Sequence, residues 1–326
     1  MSVRRLLALV AVTALVAAAC QEEQGGGGGG GGDEEALDIV LIQGVAGDEF
    51  YISMDCGAQA AAEELGVNYS VQGPNEFDPT EQIPIVEAVV AQQPDAILIA
   101  PTERTALIAP LQAAQDAGIT VVLVDTIVDD ESIGVSRIAT DNVEGGRVAG
   151  EALVELIGGE GSVFVNTTQP GVSTVEERQQ GFEEVIEGEP GIEYLGAEFN
   201  NDDPTRAAQI TSAVLAREPD LAGIFATNLF SAEGAATALR DAGAEEQVQI
   251  VGFDASPGQV DQLQEGLVQA LVAQNPREIG FQGVQTAVAA LNDEPFEEQI
   301  TTPLTVVTQD NLEDPEVQDT LYTGEC

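Results

Sequence analysis

The stretch Val248–Pro257, VQIVGFDASP, reads as a short buried strand that stops at a carboxylate. Ile250, Val251 and Phe253 supply the β-branched and aromatic bulk of a strand, and Gly252 allows close backbone approach. Ser256 followed by Pro257 has the chemistry of an N-cap and a first helical residue, so a helix is expected directly after the strand. In open parallel α/β sheets, ligands bind outside the carboxyl ends of the strands. On this stretch alone, Asp254 reads equally well as a turn cap and as a residue aimed at a ligand.

The chain repeats this grammar. Pro94-Asp95 precedes AILIAPT (96–102), a helical stretch, Asp116-Ala117-Gly118 and the strand ITVVLVD, which ends at Asp125. Pro219-Asp220 precedes LAGIFATN (221–228), a helical stretch, Asp241-Ala242-Gly243 and the strand that ends at Asp254. Gly118 and Gly243 are natural helix C-caps, which accounts for the shared turn. The two terminal aspartates have no such structural cause. Two similar α/β domains, each aiming a carboxylate outward, predict a cleft between them.

Composition bounds what that cleft does. Ten arginines and no lysine stand against 57 acidic residues in 326, a formal charge of -47. Such a surface repels nucleic acid and anionic membranes, and it suits a soluble protein whose self-repulsion is screened by salt. The chain has no histidine, which removes the commonest general base and the commonest metal ligand. No nucleophile–base pair or metal cluster is visible, so no enzyme, cofactor or metal is expected.

The first twenty residues read as an address. Arg4 and Arg5 form a charged region, Leu6–Val16 an apolar one too short to span a bilayer, and Ala17-Ala18-Ala19-Cys20 a small-residue site. This site resembles the lipobox of bacterial lipoproteins, which implies lipidation of Cys20 as the mature N-terminus. An ordinary signal peptide with an incidental cysteine is the alternative. Residues 21–35, with Gly25–Gly32 unbroken, are expected to form a disordered tether with a reach of roughly 20 Å.

The body alternates strands and helices. Strands are expected at Leu37–Gln43, Val67–Gln72, Ala96–Ala100 and Ile119–Asp125. Helices are expected at Phe50–Leu65, Asp78–Gln92 and Thr105–Ala117, the last disturbed by Pro110. Ile133–Ala139 reads as a crossing segment between domains. The second half gives strands at Gly161–Asn166, Tyr194–Phe199, around Phe225 and at Leu267–Ala273, and helices between them. The tail from Thr301 to Cys326 is expected to return as one strand with an acidic end. This regular alternation predicts two similar doubly wound parallel-sheet α/β domains, covered on both faces.

Residues 37 to about 310 resemble the ribose-binding-like type I periplasmic binding proteins, the sugar-binding proteins of bacterial ABC transporters. The cues run in order: Phe50-Tyr51, Asp125, TDNVEGGRVAGE (140–151), Arg178 with Gly181-Phe182, Phe225-Ala226-Thr227-Asn228, Val251-Gly252-Phe253-Asp254 and Ala273-Gln274-Asn275-Pro276. The resemblance implies a three-crossover hinge and capture of a ligand by closure, with no chemistry done on it. It divides the body into residues 36–140 with 275–302 and residues 141–274 with 303–326. It implies a monosaccharide or similar polyhydroxylated ligand, ABC permease subunits as partners, an extracytoplasmic lipid-anchored location and a monomer. A ligand-sensing receptor, or a non-sugar solute on the same fold, stays open.

Carried over residue by residue, the family's ligand contacts fall on Asp48, Phe50, Tyr51, Asp125, Arg178, Asn228, Asp254 and Gln274. The aromatic pair would offer flat faces to a sugar ring, and the polar residues would bond its hydroxyls. Each has a plainer reading: core packing for Phe50 and Tyr51, a surface pair with Glu177 or Glu183 for Arg178, a helix cap for Gln274. Asp141 and Asn142 read as hinge and cap residues. The chain departs from ribose-type members at Gly47, Asp48, Ala100, Thr126 and Leu229, which argues against ribose itself. With Cys20 lipidated, Cys56 and Cys326 remain as an even pair in an oxidising compartment, either bridged or as two free thiols.

Overall fold

The structure, a computed structural model, describes residues 36–326. The predicted leader, the lipidation residue Cys20 and the glycine tether lie outside the described residues. The first half runs β1 (Asp38–Ile42), α1 (Glu49–Leu65), β2 (Asn68–Gln72), α2 (Pro79–Gln92), β3 (Ala96–Ile99), α3 (Ile108–Asp116), β4 (Thr120–Val124) and β5 (Ser136–Thr140). The second runs α4 (Asn142–Ile157), β6 (Gly161–Thr167), α5 (Ser173–Ile186), β7 (Ile192–Phe199), α6 (Pro204–Arg217), β8 (Leu221–Ala226), α7 (Leu229–Ala242), β9 (Gln249–Phe253), α8 (Pro257–Gln264) and β10 (Ala270–Ala273). The chain then adds α9 (Pro276–Leu291), β11 (Gln299–Thr302), β12 (Thr305–Val307) and α10 (Pro315–Gln318).

The strands assemble into two six-stranded sheets, ordered β11-β5-β4-β3-β1-β2 and β12-β10-β9-β8-β6-β7. Strand β1 shows why each sheet is covered on both faces. Ile39 and Leu41 belong to the apolar cluster under α1 and α9, whereas Val40 and Ile42 belong to the one under α2 and α3. The side-chain period of two therefore demands a helical layer on each side. In the second sheet, Val163, Val165, Phe225 and Val251 pack with α4 and α5, while Phe164, Ile224 and Ile250 face α6 and α7.

The chain passes between the sheets three times, at Thr140–Asn142, Ala273–Pro276 and Thr302–Thr305. One residue of each passage joins a buried cluster. The Thr140 hydroxyl donates to Gln274 Oε1 at 2.8 Å, and Thr302 Oγ1 lies 3.4 Å from Thr140 Oγ1. The crossings are thereby fastened to one another beside the cleft.

Three local expectations are corrected. Ser136–Thr140 is a strand of the first sheet, paired in parallel with β4 and β11, so the crossing is confined to the residues just after it. Pro110 does not disturb a helix interior, because α3 starts at Ile108 and the proline lies in its first turn, where an amide hydrogen has no intrahelical acceptor. The tail forms two strands: β11 extends the first sheet, and β12 joins the second antiparallel to β10. That second sheet is therefore mixed at one edge. Among the described residues no helix is long and apolar enough to cross a membrane.

Candidate ligand-binding site

The carboxyl ends of both sheets face a cavity with about 420 Å³ of empty space, counted out through its open rim. Its walls include Asp48, Phe50, Tyr51, Asp125, Arg178, Asn228, Asp254 and Gln274, so all eight residues carried over in the sequence analysis meet there. Phe77, Thr126, Thr168, Val172, Thr174, Val175 and Asp202 complete the lining.

The two strand-end aspartates are held by the backbone. Asp125 and Asp254 follow β4 and β9 in the left-handed conformation, with φ of 62° and 77°. Aspartate tolerates that region better than most side chains. Asp254 is buried and takes three protein donors: the Leu229 N–H at 2.9 Å on Oδ2, and Gln274 Nε2 at 2.7 Å and the Tyr322 hydroxyl at 2.9 Å on Oδ1. Because the carboxylate can only accept, the Gln274 amide nitrogen must face it, which turns Oε1 toward Thr140. Asp125 accepts the Tyr51 hydroxyl at 2.9 Å on Oδ2.

Arg178 stands on α5 because α5 packs tightly on α4. A Cβ on Gly146 would sit 2.0 Å from the Arg178 carbonyl oxygen, and one on Gly181 would sit 1.9 Å from that of Val143, so both contact points admit only glycine. The guanidinium is buried, lies 3.8 Å above the centre of the Phe253 ring, and donates to Asn142 Oδ1 at 2.9 Å and the Thr227 carbonyl at 2.8 Å. It forms no ion pair among the described residues, and Nη2 has no protein acceptor there. Asn142 thus orients Arg178, while Asp141 caps α4 through the Glu144 N–H at 3.0 Å.

Phe50 and Tyr51 are both buried, although neighbours on a helix point in different directions. They sit in the first turn of α1, whose end abuts the cavity, so both can line it. The rings meet edge to face at 5.1 Å. Asp48 caps that helix, its Oδ1 accepting the Phe50 N–H at 2.7 Å.

Asn228 caps α7 and is mostly spent on the protein. Its Oδ1 accepts from the Ser231 N–H and hydroxyl, and its Nδ2 donates to Asp202 Oδ1 at 2.6 Å. Asp202 was missed in the sequence. It follows β7 in NNDD (200–203), three residues past the strand end, so it lacked the strand-to-aspartate junction that marks Asp125 and Asp254. Phe77, in the loop after β2, was missed for want of any helical or strand pattern around it.

Four carboxylates around one guanidinium make the cavity electronegative. Desolvation, together with the charges of Asp202 and Asp254, pushes Asp48 well above the usual carboxylate range. Burial raises Asp125 to about 6 against the pull of Arg178 and the Tyr51 hydrogen bond. Burial raises Asp202 to about 7, opposed by its bond from Asn228 and helped by Asp254. One oxygen on each of these three carboxylates has no protein donor among the described residues. The Thr168 hydroxyl, also in the wall, is buried with no partner among the described residues.

The two lobes are closed on this space. The Ile127 N–H donates to Ser173 Oγ at 3.0 Å, and Gln169 Nε2 donates to the Phe77 carbonyl at 2.8 Å. The Arg104 N–H donates to the Gly171 carbonyl at 2.9 Å, and its Nη1 meets Glu176 Oε2 at 2.8 Å.

A family model described as periplasmic binding protein domain matches residues 39–295. The chain belongs to the periplasmic binding protein family. This binding protein is 30% identical over 256 residues to the ribose import binding protein of Escherichia coli strain K12, covering 78% of the chain and 85% of that relative. It is 31% identical over 287 residues to the D-ribose/D-allose-binding protein of Pseudomonas aeruginosa, covering 83% and 88%. A solved ABC transporter solute-binding protein from Agrobacterium vitis, bound with α-D-tagatopyranose, superposes with a TM-score of 0.86 at 42% identity, covering 88% of this chain and 99% of that one. All three relatives are binding proteins, and the family places this chain outside the cytoplasm.

Proposed function

We propose that this binding protein captures a neutral monosaccharide between its two lobes and hands it to an ABC permease in the membrane that anchors it through Cys20. The observation that carries the reading is the set of unspent polar atoms in the cavity wall: three carboxylate oxygens, the Arg178 Nη2 and the Thr168 hydroxyl, beside the Phe50, Tyr51 and Phe77 rings. Sugar hydroxyls both donate and accept, so one ring can serve acceptor-only carboxylates and a donor-only guanidinium together. A sugar acid or phosphate would meet four carboxylates with a single positive charge to balance them, and is excluded on that ground. The lobes are read as residues 36–140 with 275–302 and 141–274 with 303–326, hinged at the Thr140, Gln274 and Thr302 cluster, in a monomer.

The sugars of the related proteins define the test. Calorimetric titration with D-tagatose, D-arabinose, D-fucose, D-ribose and D-allose should find micromolar or tighter binding of at least one, about 8 kcal/mol or more. Gluconate should give none. Binding of no sugar, or of gluconate in preference, overturns the reading. Mass spectrometry of membrane-extracted protein should show a diacylglyceryl adduct on Cys20, and a Cys20→Ala protein that stays in the membrane counts against the anchor.

A further inference from the structure

The end of the chain enters the site from behind. After α10, the Tyr322 N–H donates to the Ala255 carbonyl at 3.0 Å, which places the residue on the second lobe. Its hydroxyl donates to Asp254 Oδ1 at 2.9 Å and accepts from the Gln274 N–H at 3.2 Å. Its ring meets Phe50 of α1 edge to face at 5.8 Å. Tyr322 is thus buried at the junction of both lobes, in contact with three residues of the cavity wall, Phe50, Asp254 and Gln274.

The next residues bind the first lobe. The Thr323 N–H donates to Ser53 Oγ at 2.9 Å, and Cys326 is disulfide-bonded to Cys56 of α1, with the Cα atoms 5.3 Å apart. Chain ends fray unless tied down, because a few terminal residues bury too little to offset their ordering entropy. Here the Cys56–Cys326 bond is the tie, four positions beyond the tyrosine.

We propose that the carboxy-terminal tail is a strap that forms the back wall of the binding site, in which the Cys56–Cys326 bond holds the tail on α1 and Tyr322 positions the Asp254 carboxylate for the ligand. This rests on the reading of the cavity as a sugar site. With Leu229 and Gln274, the tyrosine completes three donors on Asp254, so the carboxylate is locked in one orientation and only its remaining lone pairs are left to a ligand. Burial and the neighbouring Asp254 charge raise the tyrosine well above its ordinary value of 10.0, which keeps the proton on the hydroxyl that donates it. Tyr322 is a positioning residue and need not touch the ligand.

The test uses the full chain and the five sugars named above. Tyr322→Phe keeps the ring against Phe50 and removes only the hydroxyl; it should weaken the bound sugar roughly tenfold or more. Tyr322→Phe combined with Asp254→Asn should cost clearly less than the sum of the two single changes, because one acts through the other. Equal affinity for parent and Tyr322→Phe, or additive effects, overturns the proposal. Hydrogen exchange on the unliganded protein decides the strap without any sugar. The Cys56→Ser, Cys326→Ser protein should exchange faster at Tyr322, Thr323 and the segment around Asp254, with α4 and α5 unchanged. Unchanged exchange there removes the strap, whereas a parent that binds no sugar removes the sugar site alone.

Discussion

Asp125 and Asp254 are the same residue built twice. Each leaves its strand in the left-handed conformation, and each donates its N–H to the next strand of its own sheet, to Ile138 at 2.8 Å and Val272 at 2.9 Å. The turn throws both carboxylates past the strand ends into one cavity, from opposite lobes. A backbone conformation that most side chains avoid thus persists at both cavity-facing positions.

Backbone and carboxylate are separable at Asp125. Asp125→Asn retains a side chain at home in this conformation, so the protein should melt like the parent. Its affinity should fall by about 1–2 kcal/mol, because a charge-assisted acceptor becomes a neutral one. Asp125→Val should lose binding and also about 1–2 kcal/mol of stability from the left-handed backbone. Thermal melts and titration of both variants check this; an Asp125→Val protein as stable as the parent would refute the backbone argument.

Ligand affinity should rise with pH. Asp125 at about 6 and Asp202 at about 7 hold protons that the unfolded chain, near 3.8, has already released. The folded protein therefore binds more protons across that window, and this contribution to the stability of the unliganded protein is lost as pH rises through it. Hydroxyls that donate to these carboxylates favour the ionised forms, so binding expels protons. Affinity should climb from about pH 5 to about pH 8, with proton release near neutral pH. Calorimetry in two buffers of different ionisation enthalpy reads the release directly, and Asp202→Asn should remove its upper part. An affinity that is flat across this range would sink the prediction.

Gly146 sets Arg178 in place. In Gly146→Ala the new methyl group would meet the Arg178 carbonyl at 2.0 Å, so α4 and α5 must separate. Overpacking of this kind costs about 1–3 kcal/mol. Because the displaced backbone carries the guanidinium, sugar affinity should fall as well, which a purely structural cavity wall would not cause. Melting curves and titration together distinguish a shifted Arg178 from simple destabilisation. Unaltered stability and affinity would mean that the helices do not meet here as described.

The two-sheet architecture was legible because its signals are local. A strand of alternating faces such as β1, a Ser-Pro helix start and a repeated strand-end aspartate each require only residues near one another in sequence. The eight residues named from the sequence line one cavity, because strand ends in a parallel sheet share one edge and α1 and α5, which carry Phe50, Tyr51 and Arg178, begin at that edge. Parity and compartment left Cys56 and Cys326 as a pair, bridged or free, and the structure bonds the two. What those wall residues do was not legible. Asn228 reads as a ligand contact until α7 and Asp202 are seen to claim its amide, and Gln274 until Thr140 and Asp254 claim both ends of its side chain. Asp202 is one of 57 acidic residues, and nothing in its own neighbourhood separates it from a solvated surface. Tyr322 lies 68 residues from the carboxylate it bonds. A hydrogen bond is decided by distance and angle within a few tenths of an ångström, and only packing of the whole chain determines which polar atoms reach each other and which are left facing the cavity.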